Sequence, residues 1–417
     1  MFIADFHIHS KYSRATSKNM DLESLDEQAR IKGIKVLGTG DFTHPDWFNN
    51  LKEKLEPAES GLFKVKKNDQ GTRFILTSEI SCIYSKKNRV RKIHIVVFAP
   101  SLEAVEKINT QLGWIGNLKS DGRPILGLDA KELVKITLQS CPECFIVPAH
   151  IWTPWFSLFG SRSGFDSIQE CFEDYSKYIY AVETGLSSDP PMNWKVQDLD
   201  NITLISNSDA HSSKKIGREA NVFETKLSYP ALVRAIKEKN PSEFLYTIEF
   251  FPQEGKYHFD GHRVCGVSFS PEESKKNNNI CPVCGKPLTL GVLNRVEELA
   301  GKTSLVQRAE PKNRIPFKSL IPLEEIIASV LDQGVGTKAV EAEYNNLIRG
   351  IGSEFQVLLE AKEDSLKTVT LPEIAEGIVR VRQGRVNLDP GFDGVFGKVH
   401  IFSQGEQKDI CKQSTLF

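Results

Sequence analysis

The sequence predicts an α/β protein: a seven-stranded parallel β/α barrel, then a small zinc-binding module, then a mainly helical C-terminal region. Three observations carry that expectation. Short apolar runs of strand character alternate with helical stretches through the first half of the chain. Nearly every such run delivers a histidine or a carboxylate at or near its C-terminal end, where a β/α barrel keeps its active site. The second half opens with a His-x-x-Cys and a Cys-x-x-Cys at a spacing suited to one tetrahedral ion.

At 417 residues the chain has room for two or three cores, and its 40% hydrophobic and 26% charged content is that of a soluble globular protein. It contains no run of about 18 apolar residues, so no transmembrane helix is expected. The first ten residues lack the basic start and long apolar stretch of a signal peptide, and export is not expected. Eight cysteines in this length do not make a disulfide scaffold, so a reducing, cytoplasmic setting is expected. A net charge of −1 excludes a global basic field; nucleic-acid binding would have to rest on local patches.

The first strand, within Met1 to Ser10, carries Asp5, His7 and His9 at alternating positions, which places all three on one face and Phe6 and Ile8 on the other. Two imidazoles side by side are half of a metal site. Asp21 is a helix N-cap and Gly33 ends that helix. The run after it, residues 34–39, reads as a buried parallel strand finishing at Gly40, Asp41 and, three residues on, His44. The same rhythm continues with Glu79 closing a strand at 74–79, His94 in a strand at 92–98, His150 closing 145–150, Glu183 closing 180–183, and Asp209 with His211 after 203–208. Six of the nine histidines fall in these contexts. Residues 228–240 read as the helix that closes the barrel.

Three loops between these strands have a different character. Residues 85–92 hold Lys86, Lys87 and Arg89 in a basic run that reads equally as a solvated hairpin tip or a polyanion contact. Residues 151–164 interleave Trp152 and Trp155 with Gly, Ser, Pro and Arg162, and the loop after Glu183 holds Asp189, Asn193 and Trp194. Core filling is one reading of these aromatics, and stacking on nucleic acid is the other.

His262 and Cys265 with Cys281 and Cys284 compose a Cys3His zinc site, with His258 the substitute ligand; a redox Cys-x-x-Cys would leave His262 and Cys265 without a purpose. Cys141 and Cys144 lack such partners and read as structural. Beyond residue 300, helices are expected at 322–331, 344–359 and 371–383. The domain boundaries that follow are 1–240 for the barrel, 241–300 for the zinc module, 301–412 for the helical region and 413–417 for a tail.

Over residues 1 to about 220, His7-x-His9, Asp41, Glu79, His94, His150 and Asp209-x-His211 resemble the motif series of the PHP (polymerase and histidinol phosphatase) domains. The resemblance implies a distorted (β/α)7 barrel holding two or three divalent ions, zinc foremost and manganese or magnesium as alternatives. It makes His7, His9, Asp41, Glu79, His150, Asp209 and His211 the catalytic set, with His94 a further metal ligand. Many members carry Thr-Asp-His at the second motif, where this chain reads Thr39-Gly40-Asp41 with His44 further on, and Asp41 is taken as the ligand. Ions so clustered polarise a phosphate ester and lower the pKa of a bound water.

With the zinc module and helical region added, the whole chain resembles endonuclease Q. That resemblance implies nicking of DNA 5′ to uracil, hypoxanthine, xanthine or an abasic site, with the damaged nucleotide turned out of the stack. It extends to the tail, where Gln413, Leu416 and Phe417 are similar to the box by which proteins dock on the replication sliding clamp (PCNA), although only the first aromatic of that box is present. A nucleoid location follows from such a role. The alternative is a PHP-class phosphoesterase acting on a small phosphomonoester, which explains the barrel and leaves the rest of the chain idle.

Overall fold

The first strand, Phe2–Asp5, sits at the centre of a mixed sheet and is paired on both sides. It runs parallel to Ile34–Gly38, which it reaches through the helix Leu22–Lys32. Asp21 caps that helix by accepting from the Ser24 amide at 3.0 Å, and Gly33 ends it at φ 86°, as the sequence predicts. This is a computed structural model, and it describes residues 1–301, 313–403 and 405–406.

Ile34–Gly38 pairs in parallel with the long strand Arg73–Lys86, and there the all-parallel expectation fails. Arg73–Lys86 turns straight back into Arg89–Ala99 as an antiparallel hairpin, and Arg89–Ala99 pairs antiparallel with Phe145–Pro148. The cause is local. Lys87 and Asn88 adopt φ 51° and 58°, the two-residue left-handed turn that matches strand twist, so no crossover helix is needed. Glu79 and His94 therefore lie in the middle of strands and not at their ends. On the other side of the sheet, Ala220–Phe223 is antiparallel to the first strand and to Phe244–Glu249. Phe244–Glu249 in turn pairs in parallel with Phe317–Ser319. Ala181–Glu183 and Thr203–Ile205 form a separate parallel pair. Single backbone bonds, Ile151 N–H to Glu183 O at 3.1 Å and the Ile8–Ala210 bridge, link this pair to its neighbours, so the described ladders are an α/β mixed sheet and not a continuous ring.

Alternation along the first strand also stops early. The strand ends at Asp5 because the Phe6 amide leaves the ladder and donates to Asn207 Oδ1 at 2.8 Å. Phe6 consequently packs with Phe98, Phe145, Phe223 and Phe244, while Ile8 joins the larger core on the other side. Asp5 does not face His7 and His9 as a ligand; it accepts from the Ser208 and Gly217 amides at 3.1 and 2.8 Å, which pins both ends of the loop carrying Asp209.

Residues 241–301 contain a small Asp260–His262/Val267–Phe269 hairpin and the helices Pro271–Lys276 and Val292–Gly301. After the strand Phe317–Ser319 the chain is mainly helical, with Leu323–Leu331, Lys338–Ile351, Glu363–Lys367 and Pro372–Arg382, and it ends in a short hairpin of Asn387–Asp389 with Lys398–His400. The helix expected at 344–359 starts earlier and stops at Gly352, whose φ of 133° no L-side chain adopts readily. These helices are fastened to the first half by a buried ion pair, Lys32 Nζ to Glu354 Oε2 at 2.9 Å. Lys214 and Lys215 also reach Glu324 and Glu325 at 3.0 and 2.6 Å. No helix among the described residues is long and apolar enough to cross a membrane. The tail residues Gln413, Leu416 and Phe417 lie outside the described residues.

Two fully buried carboxyls lie behind the site. Burial raises Glu249 from 4.5 to about 8, against the hydroxyls of Thr247, Thr184 and Ser206 that pull it down, and it raises Glu219 further with Glu249 beside it. A folded-state pKa above the unfolded one means that the native protein holds the extra proton between about 4.5 and 8. Stability is therefore fully present below that window and lost as pH rises through it, by at most about 5 kcal/mol for Glu249. Thermal melts from pH 5 to 9 are expected to fall in midpoint, and Glu249→Gln to flatten the fall. Equal slopes in the two proteins would contradict this.

Candidate functional site

Glu79 is the centre of the site. It projects from the middle of Arg73–Lys86 with its side chain fully buried, and its two oxygens face different ways. Oε2 lies 3.2 Å from His9 Nε2 and 3.5 Å from His7 Nε2, with Asp209 Oδ1 a further 3.1 and 3.6 Å from the same two nitrogens. Oε1 lies 2.6 Å from His94 Nδ1 and 3.0 Å from His150 Nε2. Two groups of potential ligand atoms result, His7–His9–Glu79–Asp209 and Glu79–His94–His150, each within 4.8 Å of one another and sharing one carboxylate. The long hairpin explains this directly: Glu79 and His94 are on adjacent antiparallel strands, two register steps apart.

The donor set fits divalent ions. His7 Nε2 is buried and has no hydrogen-bond partner, while its Nδ1 is taken by Glu183 at 3.0 Å, the arrangement by which a carboxylate fixes the tautomer of a ligating imidazole. His9 repeats it, with Nδ1 3.0 Å from Asp41 Oδ1 and Nε2 turned to the cluster. Burial works against charge on His7 and His9, yet the surrounding carboxylates outweigh it and raise both well above the ordinary histidine value. Burial would likewise raise Glu79, but His94, Arg123 and His7 hold it well below its ordinary value. Two carboxylates and four imidazoles packed this closely suit positive charge at their centre, which divalent ions would supply without protons.

Asp41, expected as a ligand, sits one step back. Its Oδ2 accepts from the Ser10 amide, Ser10 Oγ and Ser13 Oγ at 2.6, 2.7 and 2.9 Å, so no lone pair faces the cluster. It orients His9. Asp41→Asn is therefore expected to cost roughly 10–100-fold in activity or metal affinity while leaving the fold intact; an unchanged metal-binding isotherm together with unchanged turnover would remove that role. His44 occupies the N-cap position of the helix Pro45–Lys54 without a side-chain capping bond, and its ring stacks on Tyr12 at 4.5 Å, outside both ligand groups. His211 lies beside the cluster, 4.4 Å from the His9 ring, half-exposed at the mouth.

The loop residues expected on DNA divide. Trp152 is buried, and its Nε1 donates to Asn193 Oδ1 at 2.7 Å, so both hold the loop together and neither is free to stack. Glu183 is committed to His7, Asn207 and the His150 amide. Asp189 caps the short helix Pro190–Asn193. Lys86 is tied to Glu173 and Asp129 at 2.7 and 3.4 Å. Trp194 is half-buried, 5.9 Å from Phe317 and beneath Arg314. Lys87, Arg89, Trp155 and Arg162 remain at the surface. Trp155 lies 6.1 Å from Tyr257, and Lys256 stands over Tyr257 and Phe396, the latter 70% exposed. The neighbouring Phe156 packs on the His94 ring at 4.9 Å, so this aromatic and basic surface abuts the metal ligands.

Sequence reasoning missed Arg123, which donates from Nη1 to Glu79 Oε2 at 3.0 Å. It comes from the loop Asp121-Gly122-Arg123-Pro124, whose one carboxylate does not lie at the end of an apolar run and so gives no signal.

In residues 241–301, His262, Cys265, Cys281 and Cys284 bring their ligand atoms within 4.8 Å of one another, a group that could hold one metal ion. Gly266 and Gly285, at φ 65° and 71°, make the two turns that close around them. His258 is buried elsewhere, stacked on Phe259.

The comparisons with known proteins agree along the chain. The lesion-specific endonuclease PfuEndoQ of Pyrococcus furiosus superposes with a TM-score of 0.84 at 33% identity, over 96% of this chain and 95% of that one. The chain belongs to the endonuclease Q family. It is accordingly an enzyme, a metal-dependent hydrolase of DNA. An endonuclease Q bound to a 27-mer duplex with an abasic lesion at the active site matches equally, at TM-score 0.84 and 32% identity over 99% and 98% of the two chains. The Bacillus subtilis protein YqxK is 31% identical over 95% of this chain and 98% of its own length. MJ0043 of Methanocaldococcus jannaschii is 37% identical over 257 residues, and the match spans only 31% of that longer protein. Residues 322–385 match the family described as the MJ0043 C-terminal domain.

Proposed function

We propose that this enzyme nicks DNA on the 5′ side of a deaminated base (uracil, hypoxanthine or xanthine) or an abasic site, within a PHP-type catalytic half. The observation that carries the reading is the buried Glu79 carboxylate shared between two ligand groups, in a chain that aligns end to end with lesion-specific endonucleases. We assign residues 1–240 to catalysis, 241–300 to a structural zinc module, 301–412 to DNA contact, and the tail 413–417 to a sliding clamp, with an intracellular, nucleoid-associated setting.

Divalent ions, when bound, supply Lewis acidity toward the phosphate and an activated water. The residues of the chain do the rest. His7, His9, Glu79 and Asp209 would hold one ion and Glu79, His94 and His150 another, with zinc favoured by four imidazole and two carboxylate donors of this kind. Glu183 and Asp41 keep the two leading imidazoles in the ligating tautomer. His211 and Asp209, the half-exposed members, face the entering strand. The damaged nucleotide, weakly paired and cheap to extrude, would enter between the mouth and the Trp155–Tyr257–Phe396 surface.

The test is a set of duplexes identical but for one base, incubated with metal-replete enzyme, with each cut mapped to the nucleotide. Cleavage 5′ to uracil and hypoxanthine and none at adenine or cytosine is expected. Hydrolysis of small phosphomonoesters with no DNA cleavage would replace this reading by the phosphoesterase one.

A further inference from the structure

We propose that Arg123 is a catalytic residue that grips a non-bridging oxygen of the scissile phosphate; this rests on the endonuclease reading and names a residue within it. The guanidinium stands on the solvent side of Glu79: Glu79 is fully buried, whereas the Arg123 side chain is 28% exposed, as is that of Asp209. A phosphate that reaches the ions therefore passes it. The bond it makes, Nη1 to Glu79 Oε2 at 3.0 Å, uses one of five N–H donors. A planar fork with donors to spare beside a metal-bridging carboxylate is suited to a phosphate oxygen pair.

The backbone around Arg123 is held on both sides, which is what a preorganised electrostatic group requires. Its own amide donates to Asp121 Oδ1 at 3.2 Å, and that carboxylate also accepts from the Arg14 amide at 3.3 Å. The Gly122 amide donates to Tyr12 O at 3.0 Å, and a Cβ at Gly122 would meet Asp41 Oδ2 at 2.3 Å, so only glycine lets the loop come this close to the metal-orienting carboxylate. On the other side, Pro124 O accepts from the Ser81 amide at 3.0 Å and Ile125 pairs with Ser81, two residues beyond Glu79. Arg123 is thus fixed to the same strand as the shared ligand. Attack on phosphorus gathers negative charge on the non-bridging oxygens, and a fixed guanidinium there acts without reorganisation.

The rival is a residue that only neutralises Glu79. The two are separated by binding measurements in an Asp209→Asn background, which slows cleavage, on a uracil duplex carrying either phosphate or neutral methylphosphonate immediately 5′ of the uracil. The parent is expected to prefer the phosphate by about tenfold or more. Adding Arg123→Gln is expected to reduce that preference to less than about twofold, with metal content by elemental analysis unchanged. In the otherwise wild-type enzyme, Arg123→Gln should lower kcat on the order of 10²-fold, with partial recovery in Arg123→Lys. A phosphate preference that survives Arg123→Gln overturns the proposal, as does loss of barrel metal in that variant. The endonuclease reading is judged separately, by whether the wild-type enzyme cuts the uracil duplex and spares its undamaged twin. If it does not, both readings fall.

Discussion

Replacing Glu79 with glutamine is expected to remove the ions of the catalytic site and reduce DNA cleavage by at least about 10³-fold. One carboxylate serves both ligand groups, so its loss is not confined to either: His94 and His150 lose their only shared anion, and His7 and His9 keep Asp209 alone. An amide presents its oxygen to one group and its N–H2 to the other, and each side already holds two imidazoles, with Arg123 added on the Oε2 side. Without ions the variant also leaves buried positive partners unpaired, a destabilisation of about 3–5 kcal/mol if they remain charged. Elemental analysis and a nicking assay on one preparation decide the matter. Near-normal metal content with residual cleavage above a few per cent would mean that Glu79 does not bridge.

The second large effect is expected in the zinc module. Cys281→Ser removes a ligand from a group in which Cys281 is the buried member and Cys284 the exposed one. Structural zinc in comparable small sites contributes an apparent 10–16 kcal/mol of binding free energy that serves as folding free energy. The apolar cluster there, Val267, Cys281 and Leu288, is too small to hold the turns alone. One zinc per chain should be lost, and limited proteolysis should cut between residues 263 and 288 while the mixed-sheet half stays resistant. A variant with full zinc content and the wild-type digestion pattern would sink the assignment.

Much of this was legible in the residues because metal ligands are a chemically narrow set. His7, His9, Glu79, His94, His150 and Asp209 were picked out by type and by their position on apolar runs, and the fold brings those six together. Secondary structure was readable where local chemistry decides it, as with the Asp21 cap and the Gly33 stop. What stayed hidden was set by tertiary geometry. Whether Asp41 ligates or orients depends on Ser10 and Ser13 claiming its second oxygen. Glu183 is legible as a carboxylate closing a strand, but nothing nearby in sequence reveals that its partner is His7, 176 residues away. Trp152 could not be told from Trp155 by composition, since both are aromatics among small residues; the buried acceptor at Asn193 separates them. Strand direction was misjudged at Lys87 and Asn88, where two ordinary residues take the left-handed turn that glycine usually signals.

The parallel pairing of Phe244–Glu249 with Phe317–Ser319 has a mechanical consequence. The zinc module leaves one strand and the chain returns on the next, so the helices that follow are joined to the catalytic half through a sheet edge as well as through Lys32 and Glu354. Two separate ties of this kind restrict those helices more than a single linker would. Were a duplex laid across both parts, it would meet a surface already in place, so little chain entropy would be spent on closing around it and the bending would fall to the nucleic acid.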